Sequence, residues 1–329
     1  MTAVDGTGVL MRIAEGLDVV NISDNEMLVQ FGSRSQPSLL FRDTELTGVL
    51  GQLMAQLESS PAGREDFLAS IADEHRDEAA KLVDRLCEHG ILVDAACHPV
   101  EQYLGYLFDG QTRLANLSVA MIGTGPVGAH MAELLRQHGI GNVHTFDGRE
   151  FDGPVPEADL VVVASERRDI RLAHLVNRHC IAERRSWILA ELDGSLGRVG
   201  PLFVPGVTAC YSDLRALADA ADPNPLMARI HRRHARAAGS FTQGLPVHAS
   251  LVAGFASLAA VHTLLTGTSY LFGRVLTINF DRMAIDVEDV LRLPRCPVCS
   301  RLRASYQPTF SAEVVTRAPV VLEHDMATR

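Results

Sequence analysis

An apolar run, Leu117 to Ile122, leads without a break into Gly123-Thr124-Gly125-Pro126-Val127-Gly128, and a helical pattern then continues through Gln137. A strand, a glycine turn and a helix in that order constrain the fold more than any other feature of the chain. In such a loop the first glycine permits the tight turn and the second lets a phosphate approach the backbone. The third allows close packing of helix on strand at the helix N-terminus. Asn142 to Phe146 is a second strand ending in Asp147, where an acidic side chain would meet ribose hydroxyls. Asp159 to Ala164 is a third strand, Ile170 to Glu183 a helix, and Ser186 to Glu191 a fourth strand. Val161-Val162-Val163 is what a strand buried on both faces looks like. Strands alternating with helices imply a parallel sheet with right-handed crossovers. The glycine pattern by itself does not establish nucleotide binding, and Pro126 removes one of the amide donors that a phosphate would want.

Residues 1–95 read as a separate small unit. Asp18 to Ile22, Met27 to Phe31 and Ser38 to Arg42 are short strand-like runs separated by Ser-Asp-Asn and Gly-Ser-Arg-Ser turns. Asp43 and Thr44 can cap a helix whose apolar positions Leu46, Val49, Leu50, Leu53 and Leu57 recur at helical spacing. Ser59 to Gly63 breaks it. Arg64 to Ala72 gives a second helical segment and Asp77 to His89 a third, with Ala80, Val83, Leu86 and Cys87 on one side. Gly90 stops that helix, and Ile91-Leu92-Val93 reads as a closing strand. Three strands followed by three helices describe a small winged helix-turn-helix. Asp77, Glu78, Asp84 and Glu88 on the third helix make it a poor reader of a DNA groove.

With 40 acidic against 30 basic residues the net charge is −10, so no positive field exists to meet phosphate, and nucleic acid is not the expected partner. No charged and then apolar segment opens the chain, which leads us to expect a cytoplasmic protein. Leu245 to Leu265, the most apolar stretch, holds His248 and His262 and reads as a buried helix and not a membrane span. Of six cysteines only Cys296 and Cys299 are closely paired; thiols or a metal site are expected before disulfides. Lys81 is the only lysine. Arg229, His231, Arg232, Arg233, His234 and Arg236 form one dense positive run, read as a solvated helix face, with docking of an acidic partner as the alternative.

Three ordered landmarks follow the glycine loop: Gly194 to Cys210 (GSLGRVGPLFVPGVTAC), the helix of ASLVAGFASLAAVHTLLTG, and Arg292-Leu293-Pro294-Arg295-Cys296-Pro297-Val298-Cys299. Together they resemble the ThiF/MoeB family of ubiquitin-activating-enzyme-like proteins over about residues 115–303. The resemblance implies a Rossmann-like α/β fold, and in that family the chemistry is ATP-dependent adenylation of a carboxyl terminus. The sequence departs from the family where that chemistry would sit. Family members follow the ribose Asp with a helix bearing Asn and Arg, then a Lys, then an Asp after the third strand. Here only Gly148 to Ala158 separate Asp147 from the next strand, little room for a helical crossover. No lysine follows Lys81, and the last position reads Ala164-Ser165-Glu166. Arg149, Arg167 and Arg168 offer charge, but a fixed fork does not replace a mobile ammonium. We therefore expect Gly123, Gly125, Gly128 and Asp147 to be the vestige of a nucleotide site, with no catalytic residue and no ATP; the alternative is an adenylyltransferase that uses those arginines.

Cys296 and Cys299 match the second half of the family's structural Cys₄ zinc site. The first half would begin at Cys210, but its partner position is Asp213. Zinc accepts carboxylate oxygen, so a Cys210, Asp213, Cys296, Cys299 site is chemically sound; otherwise the metal is lost and the cysteines are small buried packers. Cys180, on the apolar helix before Trp187, reads as core and not as a thioester nucleophile.

A winged-helix unit before a ThiF-like domain is similar to the accessory proteins of cyclodehydratases that make azole-containing ribosomal peptides, and residues 1–95 are similar in layout to a RiPP recognition element. The resemblance implies a domain order of 1–95 for leader recognition, 96–114 as linker (helical around Val100 to Phe108), 115–303 ThiF-like and 304–329 as tail. It also implies binding of a precursor leader peptide as an added strand on Ser38, Leu39, Leu40, Phe41 and Arg42, opposite Ala80, Val83, Asp84 and Cys87. A YcaO-type cyclodehydratase, not this chain, would then use ATP to form azolines, and a homodimer stays open. A DNA-binding regulator and an NAD oxidoreductase are the less favoured classes; nothing supplies a hydride-site histidine with an orienting carboxylate.

Overall fold

The computed structural model describes residues 10–31, 38–98, 100, 114–227, 230 and 244–300. The Gly-Ser-Arg-Ser turn, the 101–108 part of the expected linker helix, the Arg229–Arg236 run apart from Ile230, and the 304–329 tail lie outside them. The described residues fall into two compact units, one through residue 100 and one from 114.

The first unit comprises β1 (Leu10–Ile13), β2 (Leu17–Ser23), β3 (Glu26–Phe31), β4 (Ser38–Arg42), α1 (Val49–Ser59), β5 (Ala62–Gly63), α2 (Arg64–Ser70), α3 (Arg76–Glu88) and β6 (Leu92–Asp94). Antiparallel β2, β3 and β4 make one sheet with β3 central, and β5, β1 and β6 make a second. Met27, Val29, Leu50, Leu53, Phe67, Val83 and Leu86 close a single core between the sheets and helices.

Three expectations need correction. Strand β1 adds to the expected set, and β6, read as a closing strand, pairs with β1 in a second sheet. Helix α1 begins at Val49 with Gly48 as its N-cap, not after Asp43. The Asp43 carboxylate instead ties a loop, accepting from the Glu45, Thr47 and Gly48 amides (3.1, 2.9 and 3.2 Å) and from the Thr47 hydroxyl (2.6 Å). An Asx-type loop competes with helix at such residues, and it leaves Leu46 73 % exposed, off the apolar stripe. On α3 the buried side is Ala79, Val83 and Leu86, with Ala80 and Cys87 only partly covered.

The second unit is built on a seven-stranded sheet. Its strands are β7 (Ser118–Ile122), β8 (Asn142–Phe146), β9 (Leu160–Ser165), β10 (Trp187–Asp193), β11 (Leu196–Phe203), β12 (Arg274–Asn279) and β13 (Ala284–Asp289), in the order β13-β12-β11-β10-β9-β7-β8. β8, β7, β9 and β10 run parallel, as the alternating pattern required, and β11 to β13 add antiparallel. Helices α4 (Pro126–Gln137), α5 (Ile170–Glu183), α6 (Tyr211–Ala220) and α7 (Pro246–Thr266) pack on it. Val161, Val162 and Val163 are fully buried, as a central parallel strand should be. No helix interrupts residues 147–159 between β8 and β9. By length and composition α7 could cross a membrane, but half of its most apolar window is buried in the fold. Ala249, Val252, Ala253, Ala256 and Ala260 form the buried side, while Leu251 and Leu258 stay exposed.

Candidate functional sites

Three places bring the expected site residues together. The first is the cleft at the carboxyl ends of β7 and β9, about 310 Å³, where open α/β sheets bind ligands at the point of strand-order reversal. Gly123, Gly125, Asp147, Arg149, Glu166, Arg167 and Asp169 line it. Packing alone demands two of its glycines. Gly123 has φ +129°, and a Cβ there would lie 1.9 Å from the Ala164 carbonyl oxygen; a Cβ on Gly128 would lie 2.0 Å from that of Gly123. Asp147 is exposed, and its carboxylate accepts from the Arg149 amide (2.9 Å), folding back on its own loop. Helix α4 starts on Pro126, so its first amide is that of Val127, which donates to Glu166 Oε1 at 2.8 Å. That bond was not foreseen. Its signal was the carboxylate of Glu166 just past the end of β9, noted only as a departure from the family pattern.

Beside this cleft Glu191, on β10, is buried between the Arg198 and Arg168 guanidiniums (3.5 and 3.9 Å). Burial pushes its carboxyl above the usual range, against the pull of the two cations. Arg168 also lies 4.0 Å from Asp193, so its guanidinium faces both carboxylates. A glutamate inside the apolar run of β10 was the sequence signal, and it was passed over.

The second place is the cluster of Cys210, Asp213, Cys296 and Cys299, all buried, whose ligand atoms lie within 4.8 Å of one another. Cys210 and Cys296 Sγ are 3.6 Å apart, and Cys299 Sγ is 3.2 Å from Asp213 Oδ2. Asp213 stands at the third position of α6 and its Oδ2 also accepts from the Cys210 amide (3.0 Å). Its Oδ1 is buried with no hydrogen-bond partner. A tetrahedral ion with metal–sulfur bonds of about 2.3 Å sets its sulfurs roughly 3.8 Å apart. The spacing and the orphaned carboxylate oxygen fit such an ion. Burial raises the Cys210 and Cys299 thiols, which a metal would have to deprotonate. Cys180 is fully buried and its thiol is pushed up to about 12 by desolvation, consistent with core. Among the described residues there is no disulfide.

The third place is the outer edge of β4, which pairs only with β3 among the described residues. The register sets Glu26 opposite Arg42, and the next pair is bonded by the Asp43 amide to the Asn25 carbonyl (2.8 Å). Antiparallel pairs alternate between bonded and non-bonded. Leu39 and Phe41 therefore bond β3, while Ser38, Leu40 and Arg42 turn their amides and carbonyls to the free edge. Leu39, Phe41 and Cys87 pack on the core, and Leu40 is 54 % exposed. The Phe41 ring meets His89 edge-on at 5.9 Å, bringing β4 to the end of α3. Asp84 is paired with Arg64 (2.8 Å) at the surface. Val83 is fully buried and supports this wall from beneath without lining it.

No protein-family profile and no curated protein matches the sequence. Among solved structures the chain is similar in fold to part of two heterocyclases and to E. coli MccB. A heterocyclase in complex with substrate and cofactor superposes at a TM-score of 0.67 and 18 % identity, over 89 % of this chain and 40 % of that one. The heterocyclase TruD gives 0.64 and 18 %, over 94 % and 47 %. E. coli MccB solved with ATP gives 0.54 and 16 %, over 88 % of this chain and 99 % of that one. The chain thus spans less than half the length of these heterocyclases.

Proposed function

We propose that the protein binds the leader of a ribosomally made precursor peptide and presents it to a YcaO-type cyclodehydratase that closes azoline rings. The observation that carries this reading is the edge of β4. Among the described residues nothing pairs with its backbone groups at Ser38, Leu40 and Arg42, which lie next to an apolar side chain and the end of α3. Strand addition draws affinity from main-chain bonds and selection from alternate side chains, and an uncovered edge is otherwise a liability. The shared fold supports the reading: one neighbour is a heterocyclase in complex with substrate and cofactor, and MccB has been solved with MccA. In this reading residues 1–95 are a winged-helix recognition unit and residues 115–303 a ThiF-like scaffold. The thiols stay free in a reducing cytoplasm, and zinc on Cys210, Asp213, Cys296 and Cys299 holds the scaffold's C-terminal segment. The test is a titration of the full chain into a fluorescent leader peptide from a precursor encoded beside its gene. Saturable micromolar binding is expected, and no binding to any neighbouring precursor rejects the proposal.

Adenylation is not part of this function. The chain has no lysine after Lys81, β8 joins β9 without a helix, and Arg168 is held by Glu191 and Asp193. Positioned charge is what adenylyl transfer requires. The purified protein is expected to give no pyrophosphate exchange with ATP and no calorimetric ATP binding. Exchange that depends on a peptide would instead establish the adenylyltransferase reading.

A further inference from the structure

The loop built like a phosphate cradle already holds an anion, and the anion belongs to the chain. Glu166 follows β9 and reaches across to the start of α4, where its Oε1 accepts from the Val127 amide at 2.8 Å. A Cβ on Gly125 would lie 2.0 Å from Glu166 Oε2 and 2.5 Å from Oε1. Both carboxylate oxygens therefore press on the one glycine whose missing side chain would let a phosphate approach the backbone. Pro126 has no amide to offer a second anion. The other helix that opens on this cleft is met in the same way, because Asp169 caps α5 by accepting from the Leu172 amide at 3.0 Å. Both helix N-termini at the cleft are thus neutralised by acidic side chains of the chain itself.

We propose that Glu166 is a resident anion standing in the position of a nucleotide phosphate, and that it determines what the cleft refuses. It excludes phosphate in two ways, by filling the volume over Gly125 and by placing like charge at the first amide of α4. The glycines remain because Gly123 and Gly128 serve backbone packing. At Gly125, by contrast, a side chain would meet only the carboxylate of Glu166. The same bond ties the segment after β9 to α4, so the cleft has become an internal brace.

The experiment is a thermal-shift and calorimetric titration of the full chain with sodium pyrophosphate, using the wild type, Glu166→Ala and Glu166→Gln. The wild type is expected to be indifferent to millimolar pyrophosphate. Glu166→Ala, with space and charge both released, is expected to melt lower, to regain Tm as pyrophosphate is added, and to bind it at least tenfold more tightly than the wild type. Glu166→Gln keeps the shape and drops the charge, so it retains the fold and gains a smaller response. A pyrophosphate response in either variant supports the proposal. Binding by the wild type overturns it, as does a set of folded variants that remain as indifferent as the wild type. None of these outcomes bears on leader binding, which is read from a different unit of the protein.

Discussion

Leu40→Pro is expected to weaken leader binding roughly 100-fold or more, while the residue 114–300 unit melts as in the wild type. Leu40 lies in a non-bonded pair with Leu28, so its amide points away from β3, to the edge where a leader strand would add. Proline removes that donor, and its ring holds the incoming strand away from the neighbouring carbonyls. A lost ladder bond contributes about 1 kcal/mol and disturbance of its neighbours a similar amount each; 2.7 kcal/mol corresponds to about 100-fold. The β3 ladder is spared because Leu39 and Phe41 carry it. Leu40→Ala separates backbone from side chain: it keeps the donor and trims one exposed side chain, so a loss nearer tenfold is expected. Fluorescence anisotropy with one labelled leader measures both variants. Wild-type affinity in Leu40→Pro would place recognition away from β4.

The four parallel strands of the second unit were legible because their signals are local and strong, whereas the antiparallel strands β11, β12 and β13 were not read as strands. A buried valine run, a glycine turn and a helical period each fix an element within a few residues. β9 and β10 appeared within two residues of their expected ends. The first unit was less legible where pairing is long-range. β1 spans four residues, and what makes it a strand is its pairing with β5 and β6, about 50 and 80 positions away. No local pattern carries that information. Asp43 misled for a different reason, since the same side chain serves a helix cap or an Asx-type loop, and Asn25, which accepts no such role from sequence alone, fixes the outcome by bonding Gly48 (2.9 Å). At the sites, the four metal-type residues could be named from the family pattern. The bond from Val127 to Glu166 could not, because residues 39 positions apart meet there only through the crossover of the sheet.

Freshly purified protein is expected to carry close to one zinc per chain, and Cys296→Ser to lose it together with much of the stability of the second unit. Cys210 and Asp213 open α6, whereas Cys296 and Cys299 come 86 residues later, so one ion would tie two distant segments. Ile181, Leu293 and Val298 pack around the site, and four protein ligands would complete a tetrahedral ion as in structural zinc sites. Removing one ligand leaves the Asp213 carboxylate buried and short of partners, and losing a structural metal is one of the few changes that costs on the order of 4 kcal/mol. For a unit of this size that is a fall in Tm of roughly 10 °C. Asp213→Cys should act in the opposite direction. A thiolate is the softer and better-matched ligand for zinc, so the variant should retain the metal against a chelator concentration that strips the wild type. It also gives up the Oδ2 bond to the Cys210 amide, so its Tm without metal should drop slightly even as its zinc affinity rises. Elemental analysis and melting with and without chelator read all of these effects. Protein that carries no zinc, takes up none when supplied, and melts unchanged after Cys296→Ser would show that the three cysteines serve only as buried packing.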